Sequence, residues 1–330
     1  MDSTAEQGSP SANQAAANEA LRKLFGVPED SQLIIPDFEP DLLYGKSPDK
    51  LTVFQSGNRE FRAEIYFPEK GERNVWAVAQ HGYGGRARDF SKLAELLNRD
   101  GIGVFSVDMH FQGEDKFERM SMIAGEWARV AMSAKRVLNH ECPPHQRSGT
   151  IFIGQSSGGT AGGQLIELDN QPYDGALLIG PTLVTPDPDS VVQMDKAVEP
   201  FTRKGADFMI DWKWLGLVSN QMHDEALNKA YLSYLASTAG MPYFAARGAY
   251  VVPREQFMDW IHDVKVPTFV TRGEFDTEDT TSLEILREEL LQKPNPSFTI
   301  KPLISDAGHQ AHIEKPDEVA KLVRELIKEI

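Results

Sequence analysis

Polar and apolar positions along this 330-residue chain fall into blocks whose period changes in a regular order. Two short β-rich runs, Leu51 to Gln55 and Phe61 to Phe67, flank Ser56-Gly57-Asn58, residue types suited to a tight turn. They predict an antiparallel hairpin at a sheet edge. Further strands are predicted at Val75 to Gln80, Gly103 to Val107, Ile151 to Ile153, Ala176 to Ile179, Thr268 to Thr271 and Phe298 to Leu303. The first four are short apolar runs that read as strands buried in the sheet. Helical spacing fills the intervals: about Asp89 to Asn98, Phe117 to Asn139, Gly159 to Leu168, Ser282 to Leu291, and Pro316 to Ile330. In the second of these, Ile123, Trp127, Val130, Ala134 and Val137 share one face. Strands alternating with helices predict a mostly parallel sheet covered on both sides.

The rhythm breaks between Pro181 and about Val266, where aromatic residues such as Trp212, Trp214, Tyr243 and Phe244 stand among polar ones. A connection of that length without structure of its own would be improbable, so it is expected to fold. Helical spacing at Glu225 to Leu235 and Arg254 to Ile261 supplies the means. Residues 182–265 therefore read as an inserted helical cap, entering after Gly180-Pro181 on the side of the sheet where strands end. Residues 50–181 and 266–330 read as the α/β core. Residues 1–49 read as an N-terminal extension, polar and disordered over the first 14, with a short helix from about Asn18 to Phe25.

Composition narrows the classes. A formal net charge of -15 disfavours nucleic acid as a partner, because phosphates would be repelled. Cys142 is the sole cysteine, which rules out an internal disulfide framework. No apolar run approaches the roughly 18 residues of a membrane span, so no integral membrane segment is expected. The first twenty residues lack a basic region and an apolar core, and a cytoplasmic location is the expectation.

The chemistry centres on Gly154-Gln155-Ser156-Ser157-Gly158, between the strand at Ile151 and the small-residue helix from Gly159. Gly-x-Ser-x-Gly at a strand-to-helix turn is a nucleophile elbow, in which the serine takes a strained backbone conformation and its neighbours must lack side chains. Only Ser156 has glycine two residues either side, since Ser157 would need one at Gln155. A serine hydroxyl requires a histidine to take its proton and an acid to orient that histidine. Arg272-Gly273-Glu274-Phe275-Asp276 follows one late strand, and Ser305-Asp306-Ala307-Gly308-His309-Gln310-Ala311-His312 follows the last.

With His81-Gly82 after the third strand, these motifs give an ordered set: His-Gly, Gly-x-Ser-x-Gly, Gly-x-x-Asp, Gly-His. Over roughly residues 50–330 the chain resembles the α/β-hydrolase superfamily, in particular its monoglyceride-lipase and serine-aminopeptidase-like branch. The resemblance implies the α/β-hydrolase fold, a mostly parallel sheet of about eight strands with helices on both faces and an inserted helical cap. It implies Ser156 as nucleophile, Asp276 as acid and His309 as base, with the backbone N–H groups of Tyr83 and Ser157 as oxyanion hole. The chain departs from many relatives after the fourth strand, where Asp108-Met109-His110-Phe111-Gln112-Gly113 stands in place of an arginine, glycine and serine run.

Other readings compete at each position. His312 rivals His309, and Glu274 and Asp279 rival Asp276. His81 and His110 read as structural groups. His140, His145, His223 and His262 are scattered and show no metal-ligand spacing, and the glycines of 82–85 precede no Gly-Lys-Ser/Thr, so no metal, phosphate loop or cofactor is expected. Serine at 156 excludes the aspartate nucleophile used by some members of this fold. The expected activity is a cofactor-independent serine hydrolase acting on a small-molecule carboxylic ester, lipid-like or otherwise apolar. Peptide, thioester, lactone or carbon–carbon bond cleavage on the same triad, and a ligand-binding protein without turnover, stand as alternatives.

Overall fold

The apolar runs become the strands of one sheet. The computed structural model describes residues 40–57, 59–69, 74–82, 85–109, 124–168, 173–181, 209–210, 222–237, 241–242, 261–276 and 280–330. Eight strands lie side by side: β1 (Lys50–Ser56), β2 (Arg59–Tyr66), β3 (Val75–Gln80), β4 (Ile102–Asp108), β5 (Gly149–Gln155), β6 (Gly175–Ile179), β7 (Thr268–Thr271) and β8 (Phe298–Ile300). Their order is β1-β2-β4-β3-β5-β6-β7-β8. The β1–β2 hairpin does occupy an edge, and β2 is antiparallel to both its neighbours while all other pairs run parallel. Every residue of β3, β5, β6 and β7 is buried, which is why their sequences do not alternate.

Neighbouring side chains nonetheless go to opposite faces. Val75, Ala77 and Ala79 join the cluster that holds Leu93 and Leu97 of α1 (Ser91–Arg99) and Val319, Val323 and Leu326 of α6 (Pro316–Ile327). Trp76 and Val78 join the cluster of α2 (Ala124–Glu141), α3 (Ser157–Leu168) and α5 (Thr280–Gln292), through Trp127, Leu138, Leu165 and Leu286 among others. The two cores are the two faces of the sheet, as the alternation of strands and helices predicts. Each fully buried aliphatic side chain there contributes about 1.5–3 kcal/mol.

Boundaries differ from the sequence reading where backbone hydrogen bonding intervenes. A 3-10 turn, Ala87–Phe90, precedes α1. α3 starts at Ser157, two residues before its expected start. β8 ends at Ile300 and not Leu303: Lys301 N–H still reaches the Val270 carbonyl at 2.8 Å, but the next donor to that neighbour is Ile304 N–H, to the Arg272 carbonyl at 2.9 Å, one residue later than the two-residue step of the ladder. Pairing resumes as a single bridge between Gly273 and Ile304. α6 stops at Ile327, where Lys328 N–H turns back to Glu325 and Leu326. Pro316 in its first turn and Asp317 and Glu318 beside it are the residue types that start a helix.

Within the 182–265 segment, α4 (Glu225–Ser237) matches the helical spacing. Asp224 caps it, its Oδ1 accepting from Ala226 and Leu227 N–H at 2.9 Å each. Met222, Ala230 and Tyr231 pack with Leu43, Tyr44 and Ile313, and Met209–Ile210 pairs antiparallel with Met241–Pro242. The expected helix at 18–25, residues 117–123, the aromatic residues at 212, 214, 243 and 244, and all but the last residue of the helix expected at Arg254 to Ile261 lie outside the described residues; Ile261 itself is helical.

Candidate active site

The order of strands switches at β3, with β4 on one side of it and β5 on the other, and the carboxyl ends of β3 and β5 lie side by side at that switch point, where sites of such sheets collect. Ser156 stands there. Its φ is 51°, in the left-handed region, and α3 begins with the next residue. Its N–H donates to the Ile179 carbonyl at the end of β6 at 2.9 Å, and its carbonyl accepts from Thr160 N–H at 2.9 Å. The glycines are needed for close approach. A Cβ at Gly154 would stand 2.5 Å from the Gly158 carbonyl oxygen, and one at Gly158 would collide with the Gln80 carbonyl at the end of β3. Ser157, as the first residue of α3, has an N–H without an intrahelical acceptor, at the positive end of the helix dipole. Tyr83, expected to supply the other oxyanion donor, lies outside the described residues, next to Gly82.

The acid and base loops follow β7 and β8, which pair in parallel, and their backbones continue that pairing. Ile304 N–H reaches Arg272 O, Glu274 N–H reaches Ile304 O and Phe275 N–H reaches Ala307 O, each at 2.9 Å. This lacing brings Asp276 Oδ2 to 3.0 Å from His309 Nδ1 with both side chains almost fully buried. A carboxylate can only accept, so the proton sits on Nδ1 and Nε2 is the nitrogen with a lone pair. The pair lies over the end of β6. A Cβ at Gly180 would stand 2.9 Å from Asp276 Oδ2 and 3.4 Å from His309 Nδ1. Since the preceding carbonyl, of Ile179, holds Ser156, one strand end gathers serine, acid and histidine.

The rivals sit differently. His312 is fully buried, its ring 4.6 Å from that of Phe90, and neither nitrogen has a hydrogen-bond partner among the described residues. Burial, with the nearby His309 and His81, pushes its pKa down to about 3, so the ring is neutral. Glu274 is exposed, and Asp306 N–H reaches its Oε2 at 3.3 Å. Asp279 and His110 lie outside the described residues. His81 Nδ1–H donates to the Gly82 carbonyl at 2.6 Å, Nε2 accepts from Met109 N–H at 3.0 Å, and burial lowers its pKa to about 4. That is the structural role the sequence suggested, with Met109 of the departing loop as partner.

Two residues in the site's framework had no sequence signal. Gln155 occupies a variable position of the elbow pattern, yet its Oε1 accepts from Gly82 N–H at 2.9 Å and its Nε2 donates to the His309 carbonyl at 3.2 Å. Glu314 accepts from Gly308 N–H at 2.6 Å and from Asp224 N–H at 2.7 Å, joining the loop of His309 to the cap of α4. Burial holds its pKa above the ordinary carboxylate range. Spacing cannot announce either, because both partners of Gln155, and Asp224 as partner of Glu314, are remote in sequence. Among the described residues, no three His, Cys, Asp or Glu side chains group as a metal site, and no helix is long and apolar enough to cross a membrane.

Strand order, elbow and the position of the acid–histidine pair at the strand ends define an α/β-hydrolase. More particularly, residues 72–277 match the family model described as serine aminopeptidase, S33, and the chain belongs to that hydrolase family. Solved structures with the same fold include a thermophilic esterase from Thermogutta terrifontis, 17% identical, with a TM-score of 0.64 over 84% of this chain and 98% of that one. An esterase from Exiguobacterium antarcticum is 14% identical, with a TM-score of 0.63 over 84% and 99% of the two chains. A thioesterase domain from the curacin biosynthetic pathway is 13% identical, with a TM-score of 0.57 over 83% and 98%. No curated protein matches the sequence.

Proposed function

We propose that this protein is a serine hydrolase that cleaves a small carboxylic ester through an acyl-enzyme on Ser156. The observation that carries the reading is the buried 3.0 Å contact of Asp276 with His309 at the strand end that also holds the Ser156 backbone. In this reading His309 Nε2 removes the hydroxyl proton as Ser156 Oγ attacks the ester carbonyl. The oxygen that gains charge is met by the N–H groups of Ser157 and Tyr83, a type of contact whose loss costs on the order of a hundred- to thousandfold in rate. His309 then returns the proton to the alcohol leaving group. Water, deprotonated by the same nitrogen, attacks the acyl carbonyl, and the acid departs as Ser156 recovers its proton. Every bond made or broken is served by groups of the chain itself, so the scheme requires no cofactor.

The 182–265 segment is proposed as a cap that selects the substrate. Supporting this, the residues leading into α4 hydrogen-bond to Glu314, and the His223 ring stacks on Phe275, next to Asp276, with centroids 3.9 Å apart. An apolar acyl group is the favoured substrate, given the aromatic content of the segment. The family description favours one second reading, cleavage of an N-terminal aminoacyl bond by the same triad.

A fluorophosphonate probe followed by p-nitrophenyl esters of graded acyl length and aminoacyl anilides tests both readings. Labelling that disappears in Ser156→Ala, with ester turnover exceeding anilide turnover, is expected. Preference for the anilides would favour the peptidase. A chain that takes up no probe would be a ligand-binding member of the fold, and the proposal would fail.

A further inference from the structure

Between the loop after β3 and the loop after β8 stands one primary amide. Gln155 is 1% exposed and is the last residue of β5, directly before Ser156. Its two polar atoms point in different directions. Oε1 takes the Gly82 N–H at 2.9 Å, across 73 residues, and Nε2 gives a hydrogen to the His309 carbonyl at 3.2 Å, across 154 residues. The other polar group of Gly82, its carbonyl, is held by His81 Nδ1–H at 2.6 Å, so the peptide groups on both sides of Gly82 are tied. Contact at this point is close enough that a Cβ on Gly82 would overlap Gln155 Oε1 and stand 2.5 Å from Ser156 Cβ. Deleting this buried amide would take the acceptor from the Gly82 N–H and a donor from the His309 carbonyl, both inside the protein.

We propose that Gln155 is a positioning residue: its amide sets the loop that begins at His81-Gly82 and the loop that carries His309 in one fixed relation to Ser156. The proposal rests on the acyl-transfer reading above, because it assigns to Gln155 the alignment of a donor loop and a base around one attacking oxygen. Asparagine is one methylene too short to reach both loops from this backbone position, and glutamate offers acceptors only. Glutamine has the length and the one-donor, one-acceptor geometry that the two partners require. Misplacing a base or an oxyanion donor by about 1 Å costs on the order of a hundredfold in rate, whereas an amide that is 1% exposed offers no surface for substrate to bind. The effect therefore belongs in kcat and not in KM.

Two variants separate alignment from folding. Gln155→Met keeps side-chain length and deletes both hydrogen bonds. Gln155→Glu keeps an acceptor for Gly82 N–H and replaces the donor to the His309 carbonyl with an oxygen. For a p-nitrophenyl ester, Gln155→Met should lower kcat about a hundredfold with KM within about twofold of wild type. Its affinity for an arylboronic acid, which forms a tetrahedral adduct on the serine, should fall in parallel. Gln155→Glu should keep more of the boronate affinity than Gln155→Met while still losing about tenfold in kcat. Backbone amide exchange at Gly82 should accelerate in Gln155→Met and stay slow in Gln155→Glu. If Gln155→Met does not fold, Gln155→Glu carries the test through its kcat and KM.

A folded Gln155→Met with wild-type kcat and boronate affinity overturns the proposal while the acyl-transfer reading stands. So does a kcat loss that merely tracks the fraction of unfolded protein. A wild-type chain that neither turns over esters nor takes the phosphonate sinks the reading, and the proposal with it.

Discussion

The elbow around Ser156 and the loop around His309 meet at the same strand end but are held there by different means. At the elbow, position is a backbone matter: φ of 51° at Ser156, a hydrogen bond given by its N–H and one accepted by its carbonyl, and glycines at 154 and 158 that let three main-chain segments touch. At the base loop the backbone pairing of β7 and β8 continues through Ile304 and Ala307, and side chains complete what it begins. Beyond the three residues of β8, the segment is tied to Asp276, Gln155 and Glu314 by groups that come from elsewhere in the chain or look back across several residues. Where main chain touches main chain no added atom is tolerated, whereas the side-chain ties of the base loop should weaken it in steps as partners are removed.

The largest effect expected lies at the elbow. Ser156→Ala removes the attacking oxygen and nothing else, and should cost about a millionfold in kcat with an unchanged melting temperature. Ser157→Ala keeps its N–H and should retain most activity. Turnover that survives in Ser156→Ala and disappears in Ser157→Ala would mean that the register of the elbow is misread.

On the other side, His309→Ala should cost nearly as much as losing the serine, because the two act as a unit. His312→Ala sharpens the contrast. It removes a fully buried ring that packs on Phe90 and has no polar partner among the described residues, so it should lower stability and leave kcat within about tenfold. Measured kcat and thermal midpoints for the two variants decide between them, and an exchange of the two outcomes would move the base by three residues.

This division also explains what could be read from the chain in advance. The strands and the elbow were legible because each is a local pattern: an apolar run, or glycines at fixed spacing around Ser156. Asp276 and His309 were legible as residues, through their order after late strands, but not as a pair, since nothing in spacing excludes Glu274 or His312. Gln155 and Glu314 carried no signal because their partners are 73 to 154 and 90 residues away, apart from Gly308 and the rest of the same loop. The early start of α3 at Ser157 was missed for a related reason. Helix propensity argues against Ser-Gly-Gly, and the packing of its backbone against β3 overrides it.

Paired substitutions test the backbone-versus-side-chain distinction itself. Gly158→Ala forces a Cβ into the Gln80 carbonyl, where only main-chain movement can relieve it, and should yield insoluble or inactive protein. Glu314→Ala instead removes the acceptor of the Gly308, Asp224 and His223 N–H groups, and should leave a folded enzyme with kcat about tenfold lower and a reduced thermal midpoint. Circular dichroism and ester kinetics on both variants suffice. A well-folded, active Gly158→Ala would break the comparison from one side, and an inert change at Glu314 from the other.

The smallest expected effect concerns pH and the scaffold behind the elbow's partner loop. Asp108, at the end of β4, accepts from Ala87 N–H at 2.5 Å, and Asp89 Oδ2 accepts from Arg86 N–H at 2.9 Å, so both hold the chain that continues from His81-Gly82. Burial raises the pKa of each to about 7, against an ordinary value of 3.8. Below pH 3.8 the folded and unfolded chains both keep these protons, and their contribution to stability is fully present. Between 3.8 and about 7 the unfolded chain releases them and the folded one does not, so stability falls as pH rises. Above about 7 both states are ionised and this contribution changes no further. The thermal midpoint of wild type should therefore decline from pH 5 to 7 from this source and then level. Asp108→Asn keeps an acceptor for Ala87 N–H but cannot ionise, and should flatten that decline by roughly half while leaving kcat at pH 8 near wild type. A decline as steep in Asp108→Asn as in wild type would place the titrating group elsewhere, with Glu314, raised in the same direction by its own burial, the next residue to replace.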